Sequence, residues 1–301
     1  MTPSIIIIGS EGFIGSHLVE YFTEKGWQVH GADILSQSKA CSQYYQVDPQ
    51  NARYTAAFTN HQFEYCIFAG GNGSVPLSVG KPFFDYEMNV YNVAKLLEDI
   101  RLYNQNCKFI HLSSAAVYGN PGYLPIDEKH PVQPVSPYGW HKYLAENLCL
   151  EYFQLHHIAG ISLRIFSVYG ERLRKQLFWD TYHKYLENAA EVTLFGDGTE
   201  SRDFIYITDI CKAVDVVMAN AVFDGGVINV ANGEETTIKQ AVELFLAKID
   251  GQCKVSFNNI TKEGDPKNWK ADIHKLKALG FVPGSAFEES IKNTVQWITT
   301  I

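Results

Sequence analysis

Three polar side chains, Ser114, Tyr138 and Lys142, have the types and the spacing of a proton-transfer site. Tyr138 and Lys142 are four residues apart, so on a helix they lie one turn apart on the same face. A free phenol titrates near ~10 and is a poor base at neutral pH, whereas a neighbouring ammonium favours its ionised form. Ser114 supplies a hydroxyl that can share the proton. The pattern predicts a tyrosine base, and its alternative interpretation is a helix surface that carries this pair by chance.

A glycine-rich turn near the N-terminus predicts a nucleotide-binding element. Residues 5–8 form an apolar run typical of a buried parallel strand, and Gly9, Gly12 and Gly15 follow it at the start of a predicted helix. Such glycines let a pyrophosphate approach the amides at the helix N-terminus. The next predicted strand ends in Asp33, whose carboxylate can bind ribose hydroxyls and would repel a 2′-phosphate. The predicted cofactor is NAD rather than NADP, and the alternative is a βα turn without a ligand.

Composition predicts a globular protein without membrane or nucleic-acid partners. With 301 residues, 46% of them apolar, the chain can bury a sizeable core. No apolar run approaches the ~18 residues that span a bilayer. The net charge of -8 argues against a nucleic-acid surface. Six scattered cysteines lack the spacing of a zinc site, which predicts free thiols, no bound metal and a cytoplasmic location.

Strand-like and helix-like segments alternate as far as residue 165. Strands are predicted at 65–71, 108–112 and 160–165, and helices at 83–103 and 137–156. Repeated βα units predict an α/β fold with a Rossmann-type doubly wound parallel sheet, whose ligands bind at the carboxyl ends of the strands. The candidate residues at or just beyond such ends are the Gly15 turn, Asp33, Gly70, Ser114 and Phe166.

Five longer motifs carry a family resemblance. They are residues 9–15, 113–119, 163–170, 195–206 and 262–266. Together with the Tyr138 and Lys142 pair, they resemble the extended short-chain dehydrogenase/reductase family of NAD-dependent nucleotide-sugar epimerases and dehydratases. The resemblance implies that Tyr138 is the base, Ser114 its hydroxyl partner and Lys142 a ligand of the nicotinamide ribose. With the glycine turn and Asp33 included, the full set of expected NAD contacts is Gly9, Gly12, Phe13, Ile14, Gly15, Asp33, Asp48, Ala69, Gly70, Gly71, Asn89, Ser113, Tyr138, Lys142 and Phe166.

The two residues after Ser114 indicate the reaction within that family. Dehydratases of the family usually carry an acid there, often an Asp-Glu pair, whereas this chain has Ala115 and Ala116. Two methyl groups cannot perform acid/base chemistry. The sequence therefore resembles the C4-epimerases, in which a transient ketone forms and is reduced on its other face. The alternatives are another nucleotide-sugar oxidoreductase, such as a 4-ketoreductase, dehydratase or decarboxylase, and a non-catalytic NAD-binding protein.

The second half of the chain is predicted to bind a nucleotide diphosphate sugar. Arg202 matches the family's phosphate-binding arginine, and Lys262 occupies a place where many relatives have a second arginine. A lysine there supplies a point charge instead of a bidentate fork. The basic stretch at 172–176 is either a further anion contact or a solvated loop. The substrate contacts expected are Ser74, Ser114, Ser167, Arg174, Gln176, Arg202 and Lys262.

Two interlocked domains are expected. Residues 1–167 with about 204–231 would form the NAD-binding Rossmann domain, and about 168–203 with 232–301 a smaller nucleotide-sugar-binding α/β domain. The apolar stripe of the helix at 137–156, together with the helix at 83–103, predicts the helical interface through which relatives form homodimers.

Overall fold

The computed structural model describes residues 2–38, 40–48, 52–260 and 267–301. The chain divides into two compact units. Unit 1 comprises Met1–Gly119, Pro131–Ile165 and Met218–Ile228, and unit 2 comprises Asn120–His130, Phe166–Val217 and Asn229–Ile301. The functional division into a cofactor domain and a substrate domain stays a prediction.

The described residues form strands and helices along both units. The strands are β1 (Ser4–Ile8), β2 (Gln28–Asp33), β3 (Gln43–Gln46), β4 (Tyr65–Phe68), β5 (Lys108–Ser114), β6 (Gly160–Ile165), β7 (Ser167–Tyr169), β8 (Glu191–Leu194), β9 (Ser201–Arg202), β10 (Phe204–Tyr206), β11 (Val227–Val230), β12 (Thr236–Thr237) and β13 (Lys254–Phe257). The helices are α1 (Phe13–Glu24), α2 (Thr55–Asn60), α3 (Val75–Gly80), α4 (Pro82–Tyr86), α5 (Asn92–Tyr103), α6 (Pro137–His156), α7 (Gln176–Glu187), α8 (Ile207–Asn220), α9 (Ile238–Ala247), α10 (His274–Ala278) and α11 (Phe287–Ile298).

A seven-stranded sheet is the centre of unit 1. Its order is β11-β6-β5-β4-β1-β2-β3, and the strand pairs from β6 across to β3 are parallel. Strands β2 and β3 lie on one side of β1, whereas β4 and the later strands lie on its other side. The carboxyl ends of β1 and β4 therefore flank a topological switch point. The predicted α/β Rossmann-type fold is confirmed.

The core of unit 1 explains why its strands are so apolar. Four of the five residues of β1 are fully buried, as expected for a central strand covered on both faces. On one face, Val93, Leu96 and Ile100 of α5 belong to the same buried cluster as Ile6 and Phe68 of the sheet. Leu97 lies one turn after Val93 in the same cluster, so the apolar residues of α5 form a continuous stripe.

The predicted helix over 83–103 differs from the structure in its middle. The chain forms α4, then a π-helical segment at Glu87–Tyr91, and then α5. A π-turn contains one residue more than an α-turn, and such turns are frequent at functional sites. Asn89, one of the predicted cofactor contacts, lies in this segment.

Helix α6 begins and ends where the sequence predicts. The Ser136 hydroxyl caps it by accepting a hydrogen bond from the Gly139 amide at 3.2 Å, and Pro137 occupies the first turn. His157 ends it in the left-handed conformation with φ of 58°. The predicted bounds of this helix are confirmed, and its first turn carries Tyr138.

The described residues of unit 2 form two-stranded sheets, in which β7 pairs with β10, β9 with β12, and β8 with β13. Between its helices and these strands lies an aromatic cluster around Tyr169. Phe178 packs on Tyr169 with ring centroids 5.4 Å apart, Phe204 at 6.0 Å and Phe287 at 5.6 Å. Phe245 of α9 joins the cluster through Phe178 at 5.2 Å. Among the described residues of both units, no helix combines the length and apolarity needed to cross a bilayer.

A buried ion pair ties α6 to the sheet of unit 1. Arg164 of β6 donates to both oxygens of the Glu146 carboxylate, with Nη2 to Oε2 at 2.7 Å and Nε to Oε1 at 3.0 Å. Both side chains are about 5% exposed. Ser113 of β5 donates to the same carboxylate at 2.5 Å. The network therefore joins one helix to two neighbouring strands.

Glu146→Ala is expected to lower the free energy of unfolding by about 3–5 kcal/mol, because it leaves the Arg164 guanidinium buried and unpaired. Urea unfolding monitored by circular dichroism measures this change. The matched control is Glu243→Ala, which removes half of an exposed pair with Lys239 in α9 and should cost less than about 1 kcal/mol. An equal change in the free energy of unfolding for the two substitutions would show that the buried pair does not stabilise the fold.

Candidate functional site

Ser114 and Tyr138 lie together because α6 begins directly against the turn that follows β5. Ser114 is the last residue of β5, and its hydroxyl accepts the Ala116 amide at 3.2 Å. A Cβ at Gly139 would lie only 2.6 Å from the Ala116 carbonyl oxygen, so this close approach requires glycine. The Tyr138 amide donates to the Ser78 hydroxyl at 3.1 Å. The Tyr138 phenol is thereby held within hydrogen-bonding reach of Ser114.

Lys142 follows Tyr138 by one helical turn, as the spacing predicts. Its side chain is 4% exposed, and its ammonium donates to the Leu112 carbonyl at 3.0 Å. The same nitrogen lies 5.8 Å from the centroid of the Tyr138 ring. The structure therefore brings Ser114, Tyr138 and Lys142 together at the carboxyl end of β5.

The pKa of Tyr138 differs from the sequence-based expectation. Burial raises the pKa of this phenol to about 12, the hydrogen bond with Ser114 lowers it, and the charge of Asp85 raises it further. Loss of water around the phenolate is the largest of these effects. The phenol of the free chain is therefore protonated at neutral pH, and the expected role of Lys142 in ionising it stays a prediction.

The glycine turn between β1 and α1 fits a dinucleotide. A Cβ at Gly15 would lie 1.9 Å from the Gly9 carbonyl oxygen, and one at Gly9 would lie 2.6 Å from the Gly70 amide nitrogen. Within the described chain, no side chain caps the N-terminus of α1 at Gly12, and its first turn has no acidic residue. The amides and the positive end of the helix dipole can therefore bind an anion such as a pyrophosphate.

Asp33 lies at the end of β2 with its carboxylate fixed beside the glycine turn. One oxygen accepts the Glu11 amide at 2.8 Å and the other accepts the Ile34 amide at 2.6 Å. Each carboxylate oxygen has a further lone pair with which it can accept a ribose hydroxyl. The same negative charge opposes a phosphate on that ribose. These residues fit the pyrophosphate and the adenosine ribose of NAD.

The other predicted cofactor residues lie at several strand ends. Ala69, Gly70 and Gly71 follow β4, and a Cβ at Gly71 would lie 2.4 Å from the Asn89 side-chain oxygen. Asp48 lies exposed just after β3. Phe13 and Ile14 form the first turn of α1, Ser113 directs its hydroxyl to Glu146, and Phe166, in unit 2, packs edge-on against Trp269. The direct contacts of these residues with NAD stay predictions.

The predicted substrate residues belong to both units, and one lies outside the described residues. Ser74 of unit 1 caps α3 by accepting the Leu77 amide at 3.3 Å. In unit 2, Arg202 donates from Nη1 to the Ser201 carbonyl at 2.8 Å, and its guanidinium carbon lies 5.6 Å from the centroid of the Trp269 ring. The remaining positions are Ser167 in β7, Arg174 with its guanidinium over Trp179, Gln176 at the start of α7, and Lys262, which lies outside the described residues.

Two acidic residues beside the site escaped the sequence analysis. Glu146 lies four residues after Lys142, so helical spacing could have identified it as the next polar residue on that face. Asp85 is fully buried and lies 2.5 Å from Nδ1 of His141. It had no such signal, because its partner is 56 residues away along the chain. His141 thereby has a structural interaction.

Comparisons with known proteins agree with this geometry. The family model for the NAD dependent epimerase/dehydratase family matches residues 5–231. A protein of Methanocaldococcus jannaschii named after UDP-glucose 4-epimerase is 30% identical over 306 residues, which cover 98% of each chain. The structure of UDP-glucose 4-epimerase from Thermotoga maritima with UDP-glucose has 28% identity, a TM-score of 0.90 and 99% coverage of both chains. That of UDP-glucuronic acid 4-epimerase from Bacillus cereus with UDP-glucuronic acid and NAD has 28% identity, a TM-score of 0.87 and the same coverage.

Asp33→Ala is expected to abolish a preference for NAD over NADP. The substitution removes acceptors for the ribose hydroxyls and the charge that repels a 2′-phosphate, so NAD affinity should fall by about 1.5–3 kcal/mol while NADP affinity does not. Equilibrium dialysis with labelled cofactors measures both. The exposed Asp224→Asn is the control and should leave both affinities unchanged. Wild-type protein that binds NADP as tightly as NAD would contradict this role of Asp33.

Proposed function

Because the chain belongs to the NAD-dependent epimerase/dehydratase family, we propose that it epimerises a nucleotide-activated sugar at C4 through a transient keto sugar. The observation that carries the proposal is the arrangement of Ser114, Tyr138 and Lys142 at the end of β5, with two alanines after Ser114. NAD is the cofactor of the family, and when bound it supplies the acceptor and donor of hydride.

Tyr138 is the proton acceptor and donor for the sugar hydroxyl. Its phenol has a pKa raised by burial, so the free protein keeps it protonated at neutral pH. Two neighbours favour the ionised phenol: Ser114, whose hydrogen bond lowers the pKa, and Lys142, whose ammonium lies 5.8 Å from the ring centroid. Ser114 shares the proton between the phenol and the substrate. Lys142, anchored on the Leu112 carbonyl, binds the ribose of the cofactor and favours the phenolate.

The residues that follow Ser114 support epimerisation over dehydration. Ala115 is fully buried, and Ala116 interacts with Ser114 through its backbone amide. Neither side chain can remove a C5 proton or protonate a departing hydroxyl. The ketone formed at C4 then has no acid or base at these positions to drive elimination. It is reduced again on its other face, which inverts the configuration at that carbon.

A nucleotide diphosphate sugar is the proposed substrate, and Arg202 its phosphate ligand. The guanidinium is oriented by the carbonyls of Ser201 and Lys267 and by the face of Trp269. A planar guanidinium suits phosphate oxygens. The two solved relatives contain UDP-glucose and UDP-glucuronic acid. UDP-sugars are therefore the first compounds to test.

Tyr138→Phe is expected to lower turnover about 10²–10⁴-fold, because it removes the group that takes the hydroxyl proton. NAD binding and the fold should persist, since the ring remains. Activity is measured by NMR on a panel of nucleotide sugars without added cofactor. With substrate deuterated at C4, the product should retain the label, because the hydride leaves and returns on one NAD. Washout of the label, or a fully active Tyr138→Phe enzyme, would refute the mechanism.

We also propose that the protein is a cytoplasmic homodimer. All six cysteines are free thiols, which suits a reducing compartment. Helices α4 and α6 present large exposed apolar side chains, with Phe83 71%, Trp140 51% and Leu144 41% exposed. Trp140 and Leu144 are one turn apart and form one stripe. An apolar surface of this kind, on helices that pack against each other, suits a second copy of the chain.

The double substitution Phe83→Glu with Leu144→Glu is expected to give a monomer, because it places four charges at a two-fold interface. Sedimentation velocity of the full-length chain measures the state. Val222→Glu is the matched control, since Val222 is 76% exposed but lies outside α4 and α6. A wild-type monomer, or a double variant that still dimerises, would refute the proposed interface.

A further inference from the structure

Asp85 is a fully buried carboxylate held by three polar side chains. Its Oδ1 accepts hydrogen bonds from the side-chain amides of Asn72 at 2.6 Å and Asn89 at 3.0 Å. Its Oδ2 lies 2.5 Å from Nδ1 of His141. A buried carboxylate needs hydrogen-bond partners to offset its loss of water, and these three partners come from three separate segments of unit 1.

The carboxylate fixes which way the Asn89 amide faces. Asp85 Oδ1 accepts a hydrogen bond from the side-chain nitrogen of Asn89, so the side-chain oxygen of Asn89 points away from Asp85. The same nitrogen also donates to the Asn72 carbonyl at 3.2 Å, which uses the second amide hydrogen. Both donor positions of Asn89 are thereby occupied within the protein.

The Asn89 oxygen is left as an acceptor that lacks a donor. Among the described residues it has no hydrogen-bond partner, although the side chain is fully buried. It faces Gly71, where a Cβ would lie only 2.4 Å away, so the glycine leaves open the space that any other side chain would fill. Gly71 follows β4, at the edge of the sheet where the glycine turn and Asp33 also lie. A buried acceptor without a donor beside a missing side chain indicates that a ligand supplies the donor.

We infer that Asp85 is a positioning residue, which orients Asn89 so that its amide oxygen accepts a hydrogen bond from a hydroxyl or N–H group of the bound dinucleotide. His141 contacts the other carboxylate oxygen through Nδ1, which leaves Oδ1 to the amides of Asn72 and Asn89. The inference rests on the proposed use of NAD. It adds Asp85, Asn72 and His141 to the residues on which cofactor affinity depends.

A double-mutant cycle on NAD affinity tests whether Asp85 acts through Asn89. Asp85→Asn replaces an acceptor by a group that can also donate, so Asn89 loses its fixed orientation. Asn89→Leu keeps the shape but removes the acceptor. Each single variant is expected to bind NAD about 10-fold more weakly, which corresponds to about 1.4 kcal/mol. The double variant should also be about 10-fold weaker, whereas independent residues would give about 100-fold.

Equilibrium dialysis of full-length protein with labelled NAD gives the four dissociation constants, and urea unfolding gives the stability of each variant separately. Asp224→Asn is the control, because Asp224 likewise accepts a backbone amide in unit 1, at 2.9 Å from the Gly226 nitrogen. It should leave NAD affinity within about 2-fold. Unchanged affinity in Asp85→Asn, or additive losses in the double variant, would overturn the inference.

If Asp85→Asn does not fold, the same cycle is run with His141→Phe. This variant removes the His141 contact with Asp85. It should weaken NAD binding about 3-fold in the wild-type background, and it should not weaken it further in the Asn89→Leu background. A loss of the same size in both backgrounds would overturn the inference. Failure of the wild-type protein to bind NAD would instead refute the proposed cofactor use, so the two failures are distinguishable.

Discussion

The buried pair of Glu146 and Arg164 is the interaction on which the geometry of the candidate site depends. Tyr138 and Lys142 belong to α6, whereas Ser114 belongs to β5, so the geometry of the site changes with any shift of α6 along the sheet. The ion pair opposes such a shift because its charges are desolvated and tolerate little change in distance. Ser113 donates to the same carboxylate, so the residue next to Ser114 is tied directly to the helix of the base.

The close contact at Gly139 completes this arrangement from the other end of α6. Glu146 anchors the helix two turns after the base, and the glycine lets the first turn approach the Ala116 carbonyl. Each contact is local, but together they define both the position of α6 along the sheet and its distance from β5. The Lys142 ammonium then reaches the Leu112 carbonyl of the same strand. The catalytic proposal for unit 1 therefore rests on one helix fixed against one strand at three points.

Sequence alone was enough for the features that depend on short-range patterns. The isoleucine run, the glycine turn and Asp33 predict a nucleotide-binding βα unit because strand, turn, helix and acid follow one another within a short stretch of chain. The helix predicted at 137–156 is α6. What sequence could not supply depends on contacts between distant segments. The Asp85 and His141 pair, the π-helical segment with Asn89 and the raised pKa of Tyr138 all arise from packing that no local spacing records.

The two amides that hold the Asp33 carboxylate have an entropic consequence for ligand recognition. A surface aspartate samples several rotamers, and a ligand that selects one of them must offset the lost freedom. Here Glu11 and Ile34 have already selected the rotamer in the free protein, so a ribose meets an acceptor that needs no reorganisation. The same rigidity restricts which riboses can bind, because the carboxylate cannot change its rotamer to accommodate a bulky or charged substituent. If Asp33 binds the ribose as proposed, discrimination between dinucleotides depends on the backbone of the turn as much as on the charge.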